Sequence, residues 1–311
     1  MKAELLLMAP IYGATQQHLE ATYTVHRLWE APDPDAKLAE LADRIDTVVT
    51  PGGRGMTAAE MRALPKLKLI ACFAVGVDAV DVAAATALGI KVTNTPDVLT
   101  EDVADLALAL VLATVRRVAA GDRYVRSGAW LKGALPLTQS VQGKTMGIVG
   151  MGRIGQAIAK RAAAFGLRIA YQGPRDKSLP YPYHADPVEL AKACDILVAA
   201  CPGGDATRGI ISAAVIEALG PQGVFVNIAR GSVVDEPALV DALVHGRLGG
   251  AGLDVFVDEP RVPAALLTLD QVVLQPHVGS ASHATRTAMG QLVIDNVAAW
   301  FARKPLPTPV N

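Results

Sequence analysis

The sequence predicts an α/β fold: two doubly wound parallel-sheet domains, Rossmann-like or flavodoxin-like, with an interdomain cleft. Three observations predict it. Short apolar runs alternate with helical stretches along almost the whole chain, as parallel strands covered on both faces require. The 311 residues are more than one small core needs and suit two ordinary domains. Near the middle, an apolar strand runs directly into a glycine-rich turn and a helix.

The first series reads as a strand over residues 5–8, helices over 16–23 and 36–43, a strand over 47–50 and a helix over 58–64. A strand over 69–73, a helix over 82–88 and a strand over 91–93 complete it. The stretch NTPDVLTED, residues 94–102, breaks the pattern with a proline and a helix start. Thr100 reads as its N-cap, with Glu101 and Asp102 in the first turn, where the macrodipole favours them. The helix that follows, 103–115, is apolar on nearly all sides and should be buried; Arg116 and Arg117 close it. A second alternating series begins at Lys144 and runs to about Pro276. A final helix over roughly 282–302 has an apolar stripe (Met289, Leu292, Val293, Val297, Trp300) and should return to the first domain. The expected domains are therefore 1–98 with 282–311, for substrate, and 99–281, for a dinucleotide. The proline-rich tail, KPLPTPVN, is expected to be loose.

Bulk composition narrows the function. Hydrophobic residues make up 51% and charged residues 19%, which allows a large core and argues against disorder. A net charge of −1 gives no reason to seek nucleic acid or anionic lipid as a partner. The longest largely apolar run, residues 106–115, is too short to span a bilayer, and the start, MKAELLLMAP, makes a poor signal peptide. Cys72, Cys194 and Cys201 show no CxxC pairing, which fits a reducing, cytoplasmic setting. The histidines and cysteines show no metal-ligand spacing, so no metal is expected.

The glycine-rich turn is Gly150-Met151-Gly152-Arg153-Ile154-Gly155, after a strand over 145–149. In that context GxGxxG is a dinucleotide fingerprint. The first glycine allows the tight turn, the second lets the backbone approach a pyrophosphate, and the third allows close helix–strand packing. The helix N-terminus offers unpaired N–H groups to the phosphates. The next strand, 167–171, ends in YQGPRDK, where an NAD site would place an acid for the ribose 2′-hydroxyl. None stands there; Asp176 comes beyond the turn. Arg175 and Lys177 are available instead to a 2′-phosphate, so NADPH is the expected cofactor, with NADH weaker.

Further on, Arg230 follows a strand over 224–228, Glu259 one over 252–255 and His277 one over 272–274. All three fall beyond carboxyl ends of strands, where open α/β sheets bind ligands. The segments VNIARGSVVDE, GLDVFVDEP and QPHVGSAS, with the glycine-rich turn, resemble the D-isomer-specific 2-hydroxyacid dehydrogenases over essentially the whole chain. ACFAVGVDAVD, ACPGGDATRG and the missing acid look like the glyoxylate/hydroxypyruvate reductase branch, which includes hydroxyphenylpyruvate reductases.

The resemblance implies reduction of a small 2-keto acid, such as glyoxylate or hydroxypyruvate, to a D-2-hydroxy acid. Arg230 is the implied fork for carboxylate and carbonyl, His277 the proton donor and Glu259 its partner, favouring the imidazolium. Val75, Gly76 and Val77 match the loop that holds the substrate carboxylate, and Arg54 lies in another loop expected at the cleft. Cys201, Pro202, Thr207, Asp254 and Gly279 are implied cofactor contacts, with Asp254 toward the nicotinamide carboxamide. Asp78 reads as capping the turn before the helix at Val82 and is left out of the site. A homodimer is implied, with the arm over 117–137 a candidate interface. Two other readings stand. One keeps the chemistry on a larger 2-keto acid, 2-ketogluconate or an aryl-pyruvate. The other is a dinucleotide-sensing, corepressor-like binding protein, whose partner-binding extensions have no counterpart here.

Overall fold

In the computed structural model, which describes residues 2–311, the chain forms two compact units. One comprises the chain up to Leu99 together with Ser280–Asn311; the other is Thr100–Gly279.

The first unit runs β1 (Glu4–Leu7), α1 (Gly13–Thr22), β2 (Thr24–Arg27), α2 (Pro34–Leu41), β3 (Thr47–Pro51), α3 (Ala58–Ala63), β4 (Leu69–Phe73), α4 (Val82–Ala87) and β5 (Lys91–Thr93). Its sheet is parallel with strand order β2-β1-β3-β4-β5, the flavodoxin-like winding. β4, LIACF, is buried at every residue, as a strand covered on both faces must be. Side chains set the helix starts. Asp33 caps α2 ahead of Pro34, and Thr57 and Glu60 form a reciprocal capping box on α3. Asp81 caps α4, accepting from the Ala84 N–H at 2.8 Å.

Two expectations about this unit change. β2 was not foreseen: TVHR is half-exposed at the sheet edge, so it carries no apolar run. The tail is not loose. Thr93 and Pro309 form an antiparallel bridge, the Val310 N–H donates to Val92 O at 2.8 Å, and the Asn311 side chain accepts from the Val92 N–H at 2.8 Å. The tail thus caps the other edge, where the β5 backbone groups need partners.

The second unit runs α5 (Thr100–Val115), α6 (Val118–Arg126), β6 (Thr145–Val149), α7 (Arg153–Ala164), β7 (Arg168–Gln172), β8 (Tyr183–His184), α8 (Pro187–Lys192), β9 (Ile196–Ala199), α9 (Ala213–Leu219), β10 (Val224–Asn227), α10 (Glu236–Val244), β11 (Gly250–Leu253) and β12 (Val272–Leu274). Its parallel sheet has the order β12-β11-β10-β9-β6-β7-β8, the doubly wound dinucleotide-binding order with one strand added. Thr100 is the first residue of α5 rather than its cap. The last helix, α11 (His283–Phe301), belongs to the first unit; Ser282 caps it, and it buries Met289, Val293 and Val297.

Candidate active site

In the second unit the strand order reverses between β6 and β9, and ligands of such sheets sit outside the carboxyl ends at that point. The glycine-rich turn leaves β6 there. Gly150 has φ 97°, and a Cβ on it would lie 2.5 Å from the Cys201 backbone nitrogen. A Cβ on Gly155 would lie 2.2 Å from Gly150 O. Both positions require glycine for the protein's own packing. Gly152 differs: a Cβ there meets no protein atom within 4 Å. A glycine that packing does not demand suits close approach by something outside the chain, such as a pyrophosphate. Arg153 and Ile154 open α7, a 12-residue helix whose first N–H groups face that turn.

Around this turn lie the loops after β9 and β7. Cys201 is buried, and burial pushes its thiol up to about 11, so it is no nucleophile at neutral pH. The Thr207 hydroxyl donates to Pro202 O at 2.6 Å and closes the loop. At the end of β7, Gln172 O accepts from the Gly150 N–H at 3.0 Å. The Asp176 carboxylate is turned back: it accepts from the Tyr171 hydroxyl at 2.5 Å and the Ser178 N–H at 2.9 Å. Lys177 reaches over the glycine-rich turn and donates to Met151 O at 2.9 Å. Arg175 is exposed and has no hydrogen-bond or ion-pair partner among the described residues.

Arg230, Glu259 and His277 follow the adjacent strands β10, β11 and β12. His277 Nδ1 lies 2.7 Å from Glu259 Oε2, and the other oxygen, Oε1, accepts from the Phe256 N–H at 3.1 Å. Burial works against the Glu259 charge. The His277 and Phe256 hydrogen bonds and the charges of His277 and Arg230 outweigh it and hold the carboxyl below its ordinary value. The carboxylate fixes the ring and leaves Nε2 as the nitrogen that can serve a substrate.

The braces behind these side chains were not foreseen. The Asn227 side chain accepts from the Ala229 N–H at 3.0 Å and donates to Arg230 O at 2.9 Å, shaping the turn that presents Arg230. Asp254 grips the turn at His277. Its backbone oxygen accepts from the His277 N–H at 2.8 Å, and its carboxylate accepts from the N–H groups of Val278 and Gly279 at 2.7 and 2.9 Å. Burial raises the Asp254 carboxyl, against those bonds. The Asn227 contacts are local, inside VNIARG, whereas those of Asp254 reach 24 and 25 residues along the chain and leave no local pattern.

In the first unit, three successive carbonyls of the loop after β4 are engaged. Ala74 O accepts from the Thr95 N–H at 2.8 Å, Val75 O from Asn94 Nδ2 at 2.9 Å and Gly76 O from the Cys72 thiol at 3.8 Å. In a trans peptide the carbonyl and the following N–H point opposite ways. Each N–H of Val75, Gly76 and Val77 therefore faces away from the partner of its own peptide's carbonyl, and among the described residues none has an acceptor. Such a row of donors can hold an anion. Arg54 pairs with Glu60, whose carboxyl also sits in the α3 capping box.

Comparison with known proteins decides the family. The model of the D-isomer specific 2-hydroxyacid dehydrogenase NAD binding domain matches residues 108–279. The chain belongs to this family. Among other D-2-hydroxyacid dehydrogenases, it is 50% identical to hydroxyphenylpyruvate reductase of Plectranthus scutellarioides, over 98% of both chains. It is 47% identical to glyoxylate/hydroxypyruvate reductase A of Arabidopsis thaliana, again over 98% of both. Its fold matches an NADPH-dependent glyoxylate/hydroxypyruvate reductase of Sinorhizobium meliloti, solved with NADP and malonate, with a TM-score of 0.93 and 43% identity over 100% of this chain and 97% of that one.

Proposed function

We propose that this dehydrogenase uses NADPH to reduce small 2-keto acids, glyoxylate and hydroxypyruvate, to D-2-hydroxy acids. The observation that carries the reading is the Glu259–His277 contact at 2.7 Å, within reach of the Arg230 charge. Arg230 polarises the keto oxygen and pairs with the carboxylate. His277 delivers the proton from Nε2 to that oxygen, while Glu259 keeps the ring oriented through Nδ1. The N–H groups of Val75, Gly76 and Val77 receive the substrate carboxylate. When bound, the nicotinamide supplies the hydride. Gly150–Gly155, with Arg153 and Ile154, would hold the pyrophosphate, and the loop bearing Cys201, Pro202 and Thr207 would border it. Asp254 keeps lone pairs after accepting two N–H bonds, enough to take one more from the carboxamide, close to Gly279.

The preference for NADPH rests on the loop after β7. No acid stands where a ribose diol would need one, Asp176 is occupied by Tyr171, and Lys177 and Arg175 supply positive charge beside the glycine-rich turn. Three free cysteines suit a reducing, cytoplasmic setting. Replacing His277 by Ala should lower turnover by about 10²–10⁴ with NADPH affinity nearly unchanged, measured by steady-state kinetics and cofactor fluorescence titration. Wild-type turnover in that variant would remove His277 from the mechanism. The half-identical hydroxyphenylpyruvate reductase supports a second reading, the same chemistry on an aryl-pyruvate.

A further inference from the structure

We propose that Asn94 is a positioning residue for the loop that receives the substrate carboxylate, and that the C-terminal tail, through Thr308, holds Asn94 in place. The inference rests on the reading of Val75–Val77 given above.

Asn94 Nδ2 donates to Val75 O at 2.9 Å. An acceptor at that distance requires the amide nitrogen, not its oxygen, so the side chain has one useful orientation. The bond fixes the peptide between Val75 and Gly76, and so aims the Gly76 N–H away from the body of the unit. That peptide is the one most ready to rotate, because glycine adopts backbone angles closed to other residues. Asn94 blocks the rotation.

What keeps Asn94 there is remote in sequence. Thr308 Oγ1 donates to Asn94 O at 2.6 Å, and the Asn94 N–H donates to Thr308 O at 3.3 Å. Thr308 in turn is gripped by Asn296, fully buried in α11: Asn296 Nδ2 donates to Thr308 Oγ1 at 2.8 Å, and the Thr308 N–H donates to Asn296 Oδ1 at 3.2 Å. The Thr308 hydroxyl is used once as donor and once as acceptor, and the Asn296 amide is used at both ends. Val310 and Asn311 then pin the tail along β5. The relay Asn296–Thr308–Asn94–Val75 lies within one unit and ends on the loop's inner side.

Steady-state kinetics of the full-length protein test this. Asn94→Ala should raise KM for glyoxylate by about five- to tenfold, with kcat and KM for NADPH within about twofold, as loss of a uniform binding contact predicts. Thr308→Val should move the same constant the same way by about threefold, while Thr308→Ser, which keeps the hydroxyl, should stay close to wild type. Val77→Pro, which deletes one of the three N–H groups, is run in parallel. If Val77→Pro raises KM for glyoxylate and Asn94→Ala and Thr308→Val do not, the relay is wrong and the loop reading stands. If KM for both substrates rises together in the Asn94 and Thr308 variants, the residues serve only general stability and the relay is again wrong. If Val77→Pro also leaves KM unchanged, the loop does not hold the carboxylate, and both ideas fall.

Discussion

At His277 the backbone enters the left-handed region, with φ 54°, a conformation a non-glycine residue keeps only when its surroundings hold it. Asp254 does so from the side of the backbone and Glu259 from the ring. Sequence alone placed Arg230, Glu259 and His277 past three readable apolar strands, and the structure puts Glu259 and His277 in contact. It could not place Asp254 or Asn94 as braces, because a side chain bonding to distant backbone leaves no local pattern. Arg54 shows the converse: its partner, Glu60, lies on the next helix, and nothing in GGRG announced it. The lowered Glu259 carboxyl has a consequence for acid stability. A depressed folded-state value stabilises above the unfolded value, near 4.5, and that contribution fades as pH falls through the depressed value. The melting-temperature gap between wild type and Glu259→Gln should therefore be widest above about pH 5 and shrink toward pH 3. A gap that stays constant over that range would contradict the pairing.

Strands and helices with an apolar run were legible because burial on both faces demands one. β4, β5, β6 and β12 span the residues their sequences suggest. β2 and the two-residue β8 were not, since both are half-exposed pieces at sheet edges whose pairing is decided by the strand beside them. The tail was misread for the same reason: its prolines signal an end to regular structure, yet β5 needed edge partners. The turn between β6 and α7 separates packing from ligand binding. Gly155→Ala drives a Cβ into Gly150 O and should cost about 2 kcal/mol or more of stability along with cofactor affinity. Gly152→Ala meets no protein atom, so its melting temperature should stay near wild type while NADPH binding weakens by at least about tenfold. Thermal melts beside cofactor titrations check both; equal losses of stability in the two variants would dissolve the distinction.

For the whole molecule, the second unit carries apolar side chains that the described chain leaves exposed. α6 buries only Ala120, and in the segment that follows, Leu131 is 94% and Leu137 100% exposed, with Trp130 beside them. We propose that this arm, expected to run over residues 117–137, pairs two copies of the chain. Sedimentation equilibrium at micromolar concentration should give a dimer, and Leu131→Glu with Leu137→Glu should give a folded monomer; a monomeric wild type would refute the pairing. The scaffold was readable from alternation and one glycine-rich turn, whereas substrate size depends on loop side chains whose directions no periodicity encodes. The most direct measurement is a matrix of kcat/KM values, NADPH and NADH against glyoxylate, hydroxypyruvate, phenylpyruvate and 2-ketogluconate. The highest values are expected for glyoxylate or hydroxypyruvate with NADPH, at least about tenfold above the same acid with NADH. Equal or better turnover with NADH, or turnover confined to the larger acids, would contradict the proposed function.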